Sequence, residues 1–548
     1  MLRNYLFVVA LLFVSIIFNL LLLLEKAQLA NLDPCVDLKA TGYRTAMKLV
    51  DERSSTASTR NDAPKSKSHS QPDSLEQAIR YHSAGPRPPV AFVRPLCEEP
   101  CATLAANAIR AIYEANGIYT TSQDADPWTL LIANTYRGLP KLTKIWQRTN
   151  AIPGLLDVCL AERLCRLIRD AKKRFGEAWT AREFAPRCYV LPEDGDVLRQ
   201  VAAASGASHW LWRSAGSKRG RGARARILND VTMALQQPKN DSHSLDETVV
   251  TDQYPVGLLE EYLGAPLLVN NKRKHTLRIY ALIQSFDPLQ IYVYERGEVF
   301  FASWPYEYKD GETPERCMHF DVSLTRNCSR PDQEQYPDIV LYWSLDRYWT
   351  ELQHAGVIKS PDFLWGRIKD VVTQAGLLVA STVLSHWEKT YSRDKMPGKA
   401  YWRNGFSLVG FDVIVDETKR PWIVDIDCGP GLSHLGSKSE LLKVKLMKYI
   451  IEDFLKLNGY FSGKFSRSHR KLVTERFDSF CRKRGGCSAE EGALIANYED
   501  SSHSLSRFSL VFPHANTIEA YVKAWRSALP NNLPILVQWA LHKKSNAL

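Results

Sequence analysis

The stretch Phe406–Leu432, FSLVGFDVIVDETKRPWIVDIDCGPGL, constrains the fold more than any other part of the chain. Two apolar runs, Leu408–Val415 and Trp422–Ile426, flank Asp416-Glu417-Thr418-Lys419-Arg420-Pro421, the composition of two buried strands joined by a tight turn. Three acids interrupt those runs: Asp412, Asp425 and Asp427. Asp425 and Asp427 are two apart, so on one strand they leave the same face, and Asp412 can converge on it from the paired strand. Carboxylates on one face repel unless something positive sits between them, and no lysine or arginine interleaves either run. Mg²⁺ held by one or two carboxylates plus substrate phosphates meets that need, which makes Asp412, Asp425 and Asp427 the candidate metal ligands. The bland rival is a hairpin whose acids are simply solvated.

A chain of 548 residues has room for more than one core. With 45% hydrophobic and 24% charged residues it is globular over most of its length. The net charge of +11 favours an acidic partner: nucleic acid, an anionic membrane surface or an acidic protein tail. Leu6–Leu24 is an apolar run broken only by Ser15 and Asn19, nearly long enough to cross a hydrocarbon core of about 30 Å. Its exit, Leu24-Glu25-Lys26-Ala27, is a poor cleavage site, so residues 1–26 read as an uncleaved single-span membrane anchor. Residues 27–89, rich in Ser, Lys, Pro and Asp, read as a flexible linker. Flanking charges are close to balanced, with a slight lean to the C-terminal side when Lys39, Arg44 and Lys48 are counted with Lys26. Close cysteine pairs (Cys97 with Cys101, Cys481 with Cys487) and the sequons at Asn240 and Asn327 suit a lumenal body, and reduced thiols suit a cytosolic one.

From Val90 strands alternate with helices: Val90–Val93, then helical periodicity over Leu104–Asn116, a strand at Trp128–Ala133, and helices near Leu155–Lys173 and Asp194–Ala204. That alternation gives an N-terminal α/β domain over 90–205. A strand at Trp210–Arg213 then enters a loop carrying Gly216, Gly220 and Gly222 among arginines and lysines, a pattern that brings backbone N–H groups and cations to an anion. It lacks the spacing of a P-loop. No aromatic residue interleaves GSKRGRGARAR to stack bases, so no nucleic-acid partner is expected. Strands follow at Val256–Leu263 and Pro266–Val269, then an antiparallel pair, His275–Gln284 and Leu289–Tyr294. Glu295–Glu298 reads as a turn before a further strand at Val299–Ser303, and Leu364–Ser385 as a long amphipathic helix. Lys274 and Arg278 sit in an otherwise apolar strand, where a cation needs an anionic partner such as a nucleotide phosphate.

In this order the strand with its Gly/Arg loop, EEYLGAPLLV, KHTLRIYALIQSFDPLQIYVYERGEVFFAS and GFDVIVDETKRPWIVDIDCGPGL resemble the tubulin tyrosine ligase-like family, over roughly Val90–Tyr460. The resemblance implies an ATP-grasp-type α/β (α+β) body with mixed and antiparallel sheets: a central subdomain over 206–270, a C-terminal subdomain with the metal site over 271–460, and a basic extension over 461–548. It implies a ligase that uses ATP and Mg²⁺ to add a free amino acid, expected to be glutamate, to the acidic C-terminal tails of tubulin through an acyl phosphate. By matching position, Asp412, Asp425 and Asp427 hold the metal. Glu260, Glu261, Tyr262 and Leu263 hold adenine through a strand edge. Arg213, Lys274, Arg219, Gly220, Arg221 and Gly222 face the phosphates, and Arg278 the phosphate or acceptor. Lys274 and Arg278 are the catalytic candidates.

The chain departs from the family pattern at several positions. Arg213, Glu260 and Thr276 stand where lysine, glutamine and aspartate are usual. Three aspartates replace an Asp, Glu, Asn set, and Phe300 stands where an arginine is expected to meet the amino-acid carboxylate. These departures favour, as the alternative, a membrane-tethered module that keeps the fold without ligation. Action on tubulin requires a cytosolic body.

Overall fold

The computed structural model describes residues 90–93, 109–121, 128–133, 147–152, 154–158, 160–176, 183–204, 209–214, 225–228, 231, 257–307, 316–321, 325, 328–390, 404–430, 439–458, 460, 467–524 and 533–545. The expected anchor at 6–24, the linker at 27–89 and the Gly/Arg loop with Arg219, Gly220, Arg221 and Gly222 lie outside the described residues.

Three sheets build the body. The first is parallel, in the order β2 (Tyr119–Thr121), β1 (Val90–Val93), β3 (Leu130–Ile132), β4 (Arg148–Thr149). The second is antiparallel, in the order β5 (Cys188–Leu191), β8 (Gly257–Glu261), β6 (Trp210–Ser214), β7 (Ala225–Leu228). Helices α1 (Ala161–Phe175) and α2 (Gly195–Ala204) accompany it.

The third sheet carries the most core. Its order is β11 (Tyr342–Ser344), β10 (Leu289–Phe301), β9 (His275–Phe286), β12 (Ser407–Val415), β13 (Pro421–Asp427), and β14 (Phe508–Phe512) also pairs with β10. Alternation sorts its two faces. Leu277, Ile279, Val299, Phe301, Val409, Phe411, Val413, Ile423 and Ile426 point to one side and join the largest buried cluster. Against them packs α4 (Asp362–Thr390), with α3 (Leu345–His354) beside β10. Helix α4 is amphipathic at both ends, as its sequence suggests, with Phe363 and Gly366 exposed opposite Leu364 and Ile368, but over residues 371–380 it is buried on every side. Leu364, Ile368, Val372, Ala375, Val379, Ala380 and Val383 are all fully buried, because sheet and neighbouring helices surround it. Over Asp362–Ser385 it has the length and apolarity of a membrane span, but two-thirds of that window is packed inside the protein, as for a core helix.

On the opposite face Tyr280, Leu282, Tyr292 and Tyr294 pack with the parallel sheet and with α5 (Ser439–Leu457). Beyond Tyr280 that same face becomes charged, and it turns toward the second sheet. Two local readings are corrected. Glu295–Glu298 is not a turn between strands but a bulge inside one continuous β10, because Gly297 lets the chain pass directly over β9. A Cβ on Gly297 would stand 2.5 Å from the Arg278 carbonyl oxygen. Pro266–Val269 forms no strand and makes single bridges, Pro266 with Asp416 and Val269 with Arg273. The extension after residue 461 contributes a strand, β14, besides helices α6 (Arg467–Arg484), α7 (Ala489–Ser502), α8 (Ile518–Ala524) and α9 (Ile535–Ser545).

Candidate active site

The expected hairpin forms: β12 pairs antiparallel with β13, with Asp412 opposite Asp425 and Gly410 opposite Asp427. A bulge follows Asp412, where two β13 residues span one step of β12. On the other side of β12, Asp412 lies opposite Arg278 of β9. The cation that the acids require therefore comes from the neighbouring strand. Arg278 pairs with Asp412 through two guanidinium N–H groups, Nη2 donating to Oδ2 at 2.9 Å, and its Nη1 donates to Asp427 Oδ2 at 3.2 Å. Burial alone would lower the Arg278 pKa, but Asp412 and then Asp427 hold it well above the ordinary value. Gly410 makes this geometry possible. A Cβ there would meet Arg278 Cδ at 3.0 Å, so the arginine crosses β12 over the gap that glycine leaves.

The next residues on this face extend the row. Glu298 of β10, opposite Arg278, is buried, and accepts hydrogen bonds from the hydroxyls of Tyr280 and Tyr342, the latter at 2.9 Å. Burial, with Glu298 beside them, raises both tyrosines. Phe300 lies opposite Thr276 and tilts against Tyr342 with ring centroids 5.4 Å apart. Sequence reading did not single out Glu298, Tyr280 or Tyr342. Their alternation placed Tyr280 on the charged face, but only the register across three strands brings them together.

From the second sheet, β6 aims Arg213 at the hairpin. Its Nη2 donates to the Val424 carbonyl at 3.3 Å, and its Nε lies 2.9 Å from Glu260 Oε2. Burial lowers the Arg213 pKa, but Glu260, Asp425 and Asp412 together leave it raised. Glu260 is also raised, because burial outweighs its attraction to Arg213. Both contacting atoms are buried without an aligned hydrogen bond, so this ion pair is incompletely satisfied.

The strand edge expected at Glu260–Leu263 is closed along Gly257–Glu261, since β5 and β6 flank β8 on both sides and take up its backbone groups. Glu261 turns to the other face and forms a bidentate pair with Arg187 at 2.9 and 3.0 Å. Tyr262 and Leu263 lie just past the ladder and meet Lys274. Lys274 Nζ donates to the Tyr262 hydroxyl at 2.8 Å and to the Leu263 carbonyl at 3.4 Å, and the Tyr262 oxygen is 2.6 Å from His319 Nδ1. Burial lowers the Lys274 pKa to about 7, with Asp321 opposing. His319 is lowered to about 4 by burial and then by Lys274. Its position against Tyr262 and Lys274 makes it part of the site.

The structure thus gathers Arg213, Glu260, Tyr262, Lys274, Arg278, Asp412, Asp425 and Asp427 between the second and third sheets, and leaves the Glu261 side chain outside. Among the described residues no three His, Cys, Asp or Glu side chains close into a metal cage. The donor chemistry still fits Mg²⁺. Asp412 and Asp427 offer hard oxygens on one face, and Mg²⁺ ordinarily takes one or two carboxylates with the rest from phosphate and water.

A protein-family model described as "Tubulin-tyrosine ligase family" matches residues 140–461. The human tubulin monoglutamylase TTLL4 is 28% identical over 320 residues, covering 57% of this chain and 23% of that protein. The Caenorhabditis briggsae tubulin polyglutamylase ttll-4 is 25% identical over 433 residues, covering 73% of this chain and 65% of that protein. The human probable tubulin polyglutamylase TTLL2 is 25% identical over 381 residues, covering 67% and 57% respectively. The chain therefore spans between about a quarter and two-thirds of the length of these relatives.

Proposed function

Because the chain belongs to the tubulin-tyrosine ligase family, we propose that it is an ATP-dependent ligase that joins an amino acid to acidic polypeptide tails. The relatives' names point to tubulin as the acceptor and glutamate as the donor. The observation that carries the reading is the charged face: Arg278 held between Asp412 and Asp427, with Arg213 reaching the same hairpin and Lys274 held by Tyr262 and Leu263 at the start of β9.

Mg²⁺-ATP, when bound, would supply its terminal phosphoryl group to an acceptor carboxylate with release of ADP, so that an attacking amine could displace phosphate and leave an amide. Asp412 and Asp427 would hold the metal. Arg278, already oriented by both, neutralises charge next to them and keeps the carboxylates from repelling each other. Lys274 sits against Tyr262 and Leu263, where a phosphate would restore its proton. Arg213 is drawn to the same hairpin by Asp425 and Asp412.

The test is incubation of the full chain with ATP, Mg²⁺, tubulin and labelled glutamate. Incorporation that disappears in Asp412→Asn supports the reading, and silence with glutamate, glycine and tyrosine alike removes it. A second reading, a binding module without turnover, is favoured by Phe300. It occupies the charged face two residues from Glu298, tilts against Tyr342, and offers no cation to a donor carboxylate. It predicts thermal stabilisation by ATP with no product.

A further inference from the structure

Five of the cysteines among the described residues, Cys165, Cys188, Cys317, Cys328 and Cys428, lie beside residues of the candidate site. Cys165 joins Cys188, Cys317 joins Cys328 and Cys481 joins Cys487, with Cα–Cα distances of 5.8, 5.7 and 5.2 Å, all within the span of a disulfide. Cys428 is also disulfide-bonded, so all seven cysteines among the described residues are committed in this way. Three of these bonds fasten pieces of the site. Cys188 lies directly across β5–β8 from Glu260, the partner of Arg213, and its bond to Cys165 ties that strand to α1. The Cys317–Cys328 bond brackets His319 and Asp321, which surround Lys274. Cys428 directly follows Asp427. The remaining bond closes the turn between α6 and α7, where Gly485 and Gly486 adopt φ of 82° and 124° and Gly486 N–H donates to the Cys481 carbonyl at 2.8 Å.

We propose that this body matures and works in an oxidising compartment, and that its acceptor is an acidic tail on a polypeptide sharing that compartment. The acceptor chemistry rests on the ligase reading above; the location does not. Buried cysteines are common as small apolar residues, but cytosolic thiols are kept reduced, and a chain built for that environment does not spend its cysteines in mutually bonded pairs around an active site. Each bond forms when two thiols give up two protons and two electrons to an oxidising thiol–disulfide carrier, the class of reagent such compartments supply. Two sequence features agree: the apolar run Leu6–Leu24 ahead of the body, and sequons at Asn240 and Asn327.

The test uses the full chain made in eukaryotic cells, with thiols blocked by an alkylating agent before lysis and vesicles kept intact. Peptides holding Cys165, Cys188, Cys317, Cys328, Cys428, Cys481 and Cys487 should take a second alkylating label only after reduction. Protease should spare the body until detergent is added. Reduction of the purified protein should lower its melting temperature by about 5–10 °C. Cys317 and Cys328 blocked as free thiols before lysis, or a body digested in intact vesicles, would overturn the proposal. Failure to add glutamate to tubulin or to an acidic peptide, alongside oxidised cysteines and a protected body, removes the ligase reading and leaves the location standing. A protected body that glutamylates tubulin in vitro keeps both, and directs the search for the natural acceptor to exported acidic polypeptides.

Discussion

At the scale of single residues, Arg278 and Lys274 do opposite things with their charge. Arg278 is a permanent cation balanced by two carboxylates, each of the three side chains less than a quarter exposed. Removing it as Arg278→Met leaves Asp412 and Asp427 facing each other, at a cost of about 3 kcal/mol. If those acids are metal ligands, Mg²⁺ should recover part of the lost melting temperature in the variant and change the wild type little. Calorimetric melts with and without Mg²⁺ decide this, and an equal response of both proteins would count against the metal assignment. Lys274 is instead close to losing its proton. Its folded pKa of about 7 lies below the ordinary 10.5, so between those values the unfolded chain binds more protons and this group's contribution to stability rises with pH. Lys274→Met should flatten that rise. An anionic phosphate beside Lys274 raises its pKa again, so nucleotide binding near pH 7.5 should take up a fraction of a proton. Titration calorimetry in buffers of different ionisation enthalpy measures the uptake, which the methionine variant should lack.

At the scale of elements, the face is organised by register. Tyr280 on β9, Glu298 on β10 and Tyr342 on β11 link three strands through one buried carboxylate. The bulge at Gly297 sets which β10 residues stand opposite Arg278. Gly297→Ala would press a methyl group onto the Arg278 carbonyl. The strand must shift, costing about 1–3 kcal/mol, and nucleotide affinity should fall along with stability because Arg278 moves too. Unchanged nucleotide affinity in a destabilised variant would show that the bulge does not position Arg278. The sequence made the hairpin legible to within a residue, since Leu408–Val415 and Trp422–Ile426 are apolar runs bounded by a turn. It also made legible that three acids share a face and want a cation. It did not show that the cation is Arg278, because pairing between β9 and β12 depends on contacts 134 residues apart. Nor did it show that β10 continues through Glu295–Glu298, since a glycine among charged residues reads the same way in a bulge as in a turn.

For the whole molecule, the least legible part was the C-terminal segment, whose basic composition reads as a solvated extension. The family match ends at residue 461, but β14 beyond it pairs with β10, placing Phe508 opposite Tyr294 with ring centroids 4.8 Å apart. Val511, Phe512, Ile518, Tyr521, Val537 and Ala540 complete the same cluster that buries α4 and the inner face of the third sheet. Burying a large apolar side chain stabilises by about 1.5–3 kcal/mol, so this group contributes an amount comparable with the about 5–15 kcal/mol that holds a domain folded. A body ending at residue 461 should therefore expose one edge of β10 and fail to fold as a unit, while residues 90–548 give a protease-resistant body with fixed near-ultraviolet dichroism. The milder Phe512→Ala, losing about 3–5 kcal/mol, should melt earlier but cooperatively and retain nucleotide binding, because Phe512 lies on the core side of the sheet, away from Arg278. If the truncated body instead melts within a few degrees of the longer one, the C-terminal strand is an accessory and the core closes without it.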